Sequence, residues 1–263
     1  MNKNEIKKAN RKAVPKFLLL MLLSLILGGA IGFFSAKYSL NALSASLKSA
    51  GAFFGAYIAP YLMLITAVIV PLVCFPLYKS AKKILADWDG ENEDVYNTAD
   101  TKLSVIMWIT GAALILSFFL ITASYSVGFS AFESKRHTLP VLVSIASFFA
   151  VLIEAVLIQQ KCVDAVKAMN PEKTASVYDT KFQKKWLNSC DEAEKIMIGK
   201  CSYKAYLATN SVCLILSVVL AVCALTFETG FLPSLAVCLI WLVNQSAYLK
   251  EAMKYSKAGN KIS

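Results

Sequence analysis

Apolar residues in this chain fall in long blocks instead of recurring at every third or fourth position. Six blocks are legible: Phe17–Tyr38, Phe53–Leu77, Leu103–Tyr125, Pro140–Ile158, Ala205–Phe227 and Phe231–Leu249. A helix needs about 20 consecutive apolar residues to cross a hydrocarbon core, and each block approaches or exceeds that length. They are too long and too uniformly apolar for barrel strands, and a spanning segment must satisfy its own backbone hydrogen bonds, so they read as helices. The pattern predicts an all-α fold. It is a polytopic transmembrane bundle of about six spans, paired as three hairpins within a single membrane domain over residues 1–263.

Polar sequence collects between alternate spans. Two larger connections, 79–102 and 159–204, lie on one side, while the links 39–52, 126–139 and 228–230 on the other are short. Neither larger connection is long or apolar enough to build a catalytic domain of its own. Lys and Arg follow the same division. Six precede the first span, four lie in 79–102, nine in 159–204 and four after the last span, leaving only Lys37, Lys48, Lys135 and Arg136 of the 27 on the opposite side. By the positive-inside bias both termini and both larger connections are expected to be cytoplasmic.

Composition agrees with this layout: 57% of the residues are hydrophobic and only 17% charged, below the roughly 25% usual in soluble domains. The net charge of +10 is mostly a topology signal. Its charges are dispersed among short loops, so nucleic acid is excluded as a partner and the lipid bilayer is the expected one. The basic start up to Lys16 raises the question of a cleaved signal peptide. The first apolar run exceeds a signal's usual core, and no small-x-small site ends it, so an uncleaved span is expected. All seven cysteines fall in spans or on the cytoplasmic side, which leaves no external disulfide framework.

Within 79–102, Asp87, Asp89, Glu91, Glu93 and Asp94 surround Gly90. The run resembles the start of an EF-hand but lacks the later spacing and the terminal bidentate Glu, and it is expected to be a solvated acidic loop. In 159–204, Phe182 and Trp186 with Lys184 and Lys185 between them form a short amphipathic turn suited to the inner headgroup surface. Ser189 and Glu192 have capping-box spacing, which would start a helix running through Lys204 into the fifth span. The stretch 189–204 is a candidate surface for a protein partner, with plain solvated helix the favoured account because capping boxes are common. Ala99, Asp100 and Lys102 before span three echo Ala193, Glu194 and Lys195 before span five, a match too short to establish duplicated hairpins.

Glu154 is the only acid inside a span. A buried carboxylate costs several kcal/mol or neutralises unless it is paired. At about 1.5 Å per residue it lies roughly 6 Å from the inner end of its span, near the depth of Asn210, Asn244 and Gln245. Those four residues are the candidate intramembrane site, where Glu154 would titrate and the amides would orient a proton or solute. The competing and favoured account has Glu154 reaching the inner interface while the amides join helices. Small-residue stripes at Gly28 and Gly32, and at Gly51, Gly55 and Ala59, are expected to pack helices. Pro60, Pro71 and Pro76 predict kinks in the second span.

No phosphate-binding loop, His-Glu-x-x-His or Gly-x-Ser-x-Gly motif occurs, and the single histidine, His137, lies in an outer link. Neither a metal site nor a cofactor is expected, and no nucleophile is supplied with a base. Three stretches carry a family resemblance: KFLLLMLLSLILGGAIGFFSA at 16–36, DEAEKIMIGKCSYKAY at 191–206 and IWLVNQ at 240–245. They resemble uncharacterised multi-pass membrane proteins of Gram-positive bacteria, grouped as a domain of unknown function. The resemblance implies a bacterial plasma-membrane location and a similar multi-span layout, with no catalytic or binding residues to transfer. The leading functional reading is a non-catalytic component of a membrane transport or signalling assembly that contacts a partner through 189–204. The alternative is a small-solute or proton-coupled transporter built around Glu154. A membrane-embedded enzyme ranks third.

Overall fold

The computed structural model describes residues 41–125, 135–173, 175–227 and 229–257, together with single helical positions between 15 and 33. The described elements are α1 (Asn41–Phe53), a π-helical turn (Phe54–Ile58), α2 (Ala59–Ala86), α3 (Glu93–Ser124), α4 (Lys135–Met169), α5 (Phe182–Asn188), α6 (Glu192–Phe227) and α7 (Leu232–Lys257). Among the described residues there is no strand. Five helices are long and apolar enough to cross a membrane: Ala45–Ala86, Glu93–Ser124, Thr138–Met169, Glu192–Ala224 and Leu232–Met253. They carry five of the six expected spans. Most of the block 17–38, with Gly28 and Gly32, lies outside the described residues, as do 126–134 of the second outer link.

The helices outrun their apolar blocks. Of the connection 79–102 only 87–92 is non-helical, and among the described residues of 159–204 only 170–173, 175–181 and 189–191. The link 39–52 is helical from Asn41 onward. Hydropathy marks where apolar surface ends, whereas a helix continues as long as it keeps a face to pack.

The chain divides into two compact units, residues 48–198 and residues 1–47 with 199–263. In the first, α2, α3 and α4 form a three-helix bundle. Its seam on α3 is Ala99, Leu103, Ile106, Thr110, Ala113, Ser117, Leu120 and Ser124, all buried. Alternating steps of four and three residues make this a heptad stripe, and its small members let helices approach closely. Facing it, α2 buries Met63, Ala67, Val70, Cys74 and Ala81, and α4 buries Val151, Ala155, Ile158 and Cys162. Polar atoms on the seam are satisfied across it or along the helix: Ser124 and Ser144 share a 2.9 Å hydrogen bond, and Gln159 Nε2 donates to Thr110 Oγ1 at 3.2 Å. The outward faces carry exposed Trp108, Ile115, Phe119, Leu142 and Ile153, an apolar surface suited to lipid.

Pro60 has a local consequence different from a simple kink. Lacking an N–H, it cannot bond the carbonyl four residues back, and the chain enters α2 through the π turn, in which Ala59 N–H bonds Phe54 O. Helix α2 then runs unbroken through Pro71 and Pro76. In the stripe beside it, Gly55 and Ala59 are buried, but Gly51 is exposed and faces open space.

Candidate functional site

The α2–α3 turn is an acidic stretch occupied with its own backbone. Asp89 Oδ1 accepts from the N–H groups of Glu91 and Asn92 at 3.0 Å, Gly90 adopts φ +90°, and the Asn92 side chain caps α3 by accepting from Asp94 and Val95 N–H. Trp88 packs on Tyr96, whose hydroxyl accepts from Asn170 Nδ2 at 3.1 Å, tying the turn to the end of α4.

Beyond α4 the chain folds back upon the bundle. Gln160 is the anchor: its Oε1 accepts from Ser176 Oγ at 3.0 Å and Val177 N–H at 2.8 Å, while its Nε2 donates to Asp164 at 2.8 Å. The centre of this clasp is Lys173, only 4% exposed. Its ammonium pairs with Glu194, donates to Ser189 O at 3.3 Å and Cys190 Sγ at 3.4 Å, and stands 5.6 Å from the centre of the Trp186 ring. Burial pushes this ammonium toward neutrality, but its bonds to Glu194 and Cys190 outweigh that and hold its pKa above the ordinary value. At the clasp's edge, Asp179 pairs with Lys185 and accepts Lys181 N–H, which holds its carboxyl below the usual range.

The cap of α6 sits two residues later than its sequence suggests. Asp191 Oδ1 accepts from Glu194 N–H at 2.7 Å and Glu194 Oε2 accepts from Asp191 N–H at 3.1 Å, a reciprocal capping box. Ser189 instead donates to Trp186 O at 2.8 Å. Asp shares the capping chemistry of Ser, and the same Glu194 Oε2 that accepts the Asp191 N–H also pairs with Lys173, which fixes the register. Phe182 and Trp186 line a cavity of about 360 Å³ together with Asp100, Leu103, Met107 and Val166.

Of the four expected intramembrane residues, the structure brings three together, all in the unit containing 199–263. Asn210 Oδ1 accepts from Trp241 Nε1 at 3.1 Å, Asn244 Nδ2 at 3.2 Å and Gln245 Nε2 at 3.1 Å. Tyr206 donates to Gln245 Oε1 at 2.6 Å and stacks on Tyr248 at 4.3 Å. Trp241, Asn244, Gln245 and Tyr248 lie on one face of α7, and Tyr206 and Asn210 face them one turn apart on α6. Sequence reasoning passed over Trp241 and Tyr206, though Trp241, Asn244, Gln245 and Tyr248 have i, i+3, i+4, i+7 spacing and Tyr206 lies four residues before Asn210. Glu154 belongs to the other unit, on α4, and its Oε2 is sealed from solvent with no hydrogen-bond partner among the described residues.

Comparison with known proteins gives one match. The model of a family described as a protein of unknown function (DUF3169) covers residues 11–252. No curated protein and no solved structure matches.

Proposed function

Since the chain belongs to this family of proteins of unknown function, we propose that it is a non-catalytic integral membrane component with cytoplasmic termini, which engages a protein partner through the start of α6. The observation that carries the reading is the clasp. Fixing a loop costs roughly 1–2 kcal/mol per residue in backbone entropy, yet Lys173, Gln160 and the capping box order 170–194 into a defined surface. On that surface Ile196 and Met197 remain 57% and 58% exposed. Apolar anchors on a preorganised support are what protein recognition uses. The mutual bonding of Asn210, Asn244 and Gln245 fits helix joining better than a vacant solute site.

The test is a photo-crosslinking residue at position 196, in membranes, with and without Met197→Glu. A discrete crosslinked protein that disappears with Met197→Glu supports the reading. Crosslinks to lipid alone, or the same products in both proteins, overturn it.

A second reading rests on Glu154, whose sealed Oε2 suits a neutral carboxyl that loses and regains a proton. Under it, Glu154→Gln abolishes a proton-linked solute flux in proteoliposomes. Unchanged flux, or none in the parent protein, removes it.

A further inference from the structure

We propose that the cavity among α3, α4 and α5 binds an organic cation with an apolar body, an alkylammonium held by the Asp100 carboxylate and the rings of Phe182 and Trp186. At about 360 Å³ the cavity falls within the size range of small-molecule sites, roughly 300–1,000 Å³. Leu103, Met107 and Val166 give it apolar walls, and Asp100 is the only charged residue among its ten lining residues. That carboxylate is half-buried, and among the described residues no ion pair or hydrogen bond engages it. The charge that acts on it is another acid, Glu194, which is already committed to Lys173. Asp100, Glu194 and Lys173 together therefore leave one negative charge uncompensated beside an aromatic wall.

A weakly hydrated ammonium supplies what is missing. Its charge offsets Asp100, its carbon atoms fill the apolar walls, and aromatic rings attract it through their electron-rich faces. The Lys173 ammonium, 5.6 Å from the Trp186 ring, is neutralised by Glu194 and so leaves the Asp100 charge unanswered. A hydrated metal ion fits poorly, because it needs several oxygen ligands and the walls are largely carbon. This site is independent of the partner surface at Ile196 and Met197.

The probe is choline, titrated calorimetrically against the full chain in non-ionic detergent, with 3,3-dimethylbutanol as its uncharged counterpart of equal shape. The expected result is saturable choline binding, weaker by at least about ten-fold for the neutral counterpart and for Asp100→Asn. Met107→Trp, which fills the cavity, abolishes binding. Thermal melting of each variant reports on folding, and the choline pair in the parent protein decides the matter should a variant fail to fold. Equal binding of choline and its neutral counterpart, an unaltered affinity in folded Asp100→Asn, or no saturable binding overturns the proposal. Nanodiscs with and without phosphatidylethanolamine then identify the source. Competition by that lipid makes the ligand a headgroup, and unchanged choline affinity makes it a free amine.

Discussion

Lys173 illustrates how much one side chain can organise. Its charge is 1% exposed while Glu194 is 33% exposed, so the pair is neither a surface bridge nor a fully dry one. Removing the lysine strands an acid that can rehydrate, and Lys173→Met is expected to cost on the order of 2 kcal/mol, below the usual value for a fully buried pair. Maleimide labelling checks this: buried Cys190 should react many times faster in Lys173→Met than in the parent protein. The clasp also has a pH window. The Lys173 pKa is raised above 10.5, so its contribution is complete below that value and is lost as pH rises through the folded pKa. The Glu194 and Asp179 pKa values are lowered below 4.5 and 3.8, so their contributions are present above those values and are lost as pH falls through the folded pKa values. Hydrogen exchange of 170–190 should therefore be flat between these limits and rise beyond both, after correction for the intrinsic rate. Little of this was legible beforehand. Lys173 follows Pro171 in a polar stretch and resembles any solvated lysine, because its partners Cys190 and Glu194 are some 20 residues away. The amide layer was more legible, since Asn and Gln within apolar blocks have few ways to be satisfied except by one another.

At the scale of elements, blocks of hydropathy coincide with five helices long and apolar enough to cross a membrane but mark the ends of those helices poorly. The extensions Lys79–Ala86, Glu93–Lys102 and Gln159–Met169 carry enough charge to end an apolar run, but Tyr78, Ala81, Ala99, Cys162 and Met169 continue the seam beneath that charge. The heptad on α3 is readable in the sequence from Ala99 to Ser124 and marks the seam better than the glycine stripes do, since a side chain added at Gly51 would meet only open space. Position, more than residue size, decides the outcome of substitutions here. Ala113→Leu on the seam is expected to destabilise by about 1–3 kcal/mol through overpacking. Ile115→Leu, two residues away and 75% exposed, should stay within about 0.5 kcal/mol. Melting of the purified protein followed by size-exclusion chromatography separates the two; equal losses would contradict the seam.

For the molecule as a whole, orientation is the property on which the functional reading depends. In a background without other cysteines, Glu91→Cys in the α2–α3 turn should react with an impermeant maleimide only after cells are opened. Thr229→Cys, before α7, should react in intact cells. The reverse pattern would place the clasp outside and detach it from any cytoplasmic partner. The charge count predicts this arrangement because Lys and Arg report on sidedness directly, whereas the division into two compact units leaves no mark in composition and emerges only from which helices pack together.

The extensions of α2, α3 and α4 are, mechanically, levers. Helix α4 runs about ten residues past Ile158, which at about 1.5 Å per residue is an arm near 15 Å long. A change of about 10° in helix tilt moves the tip of such an arm by roughly 2.5 Å, as much as separates a formed hydrogen bond from a broken one. Asn170, held by Tyr96, follows the tip of the α4 arm, so the loop enters the clasp from where any tilting of the bundle is largest, while Gln160 holds it near the base of the arm.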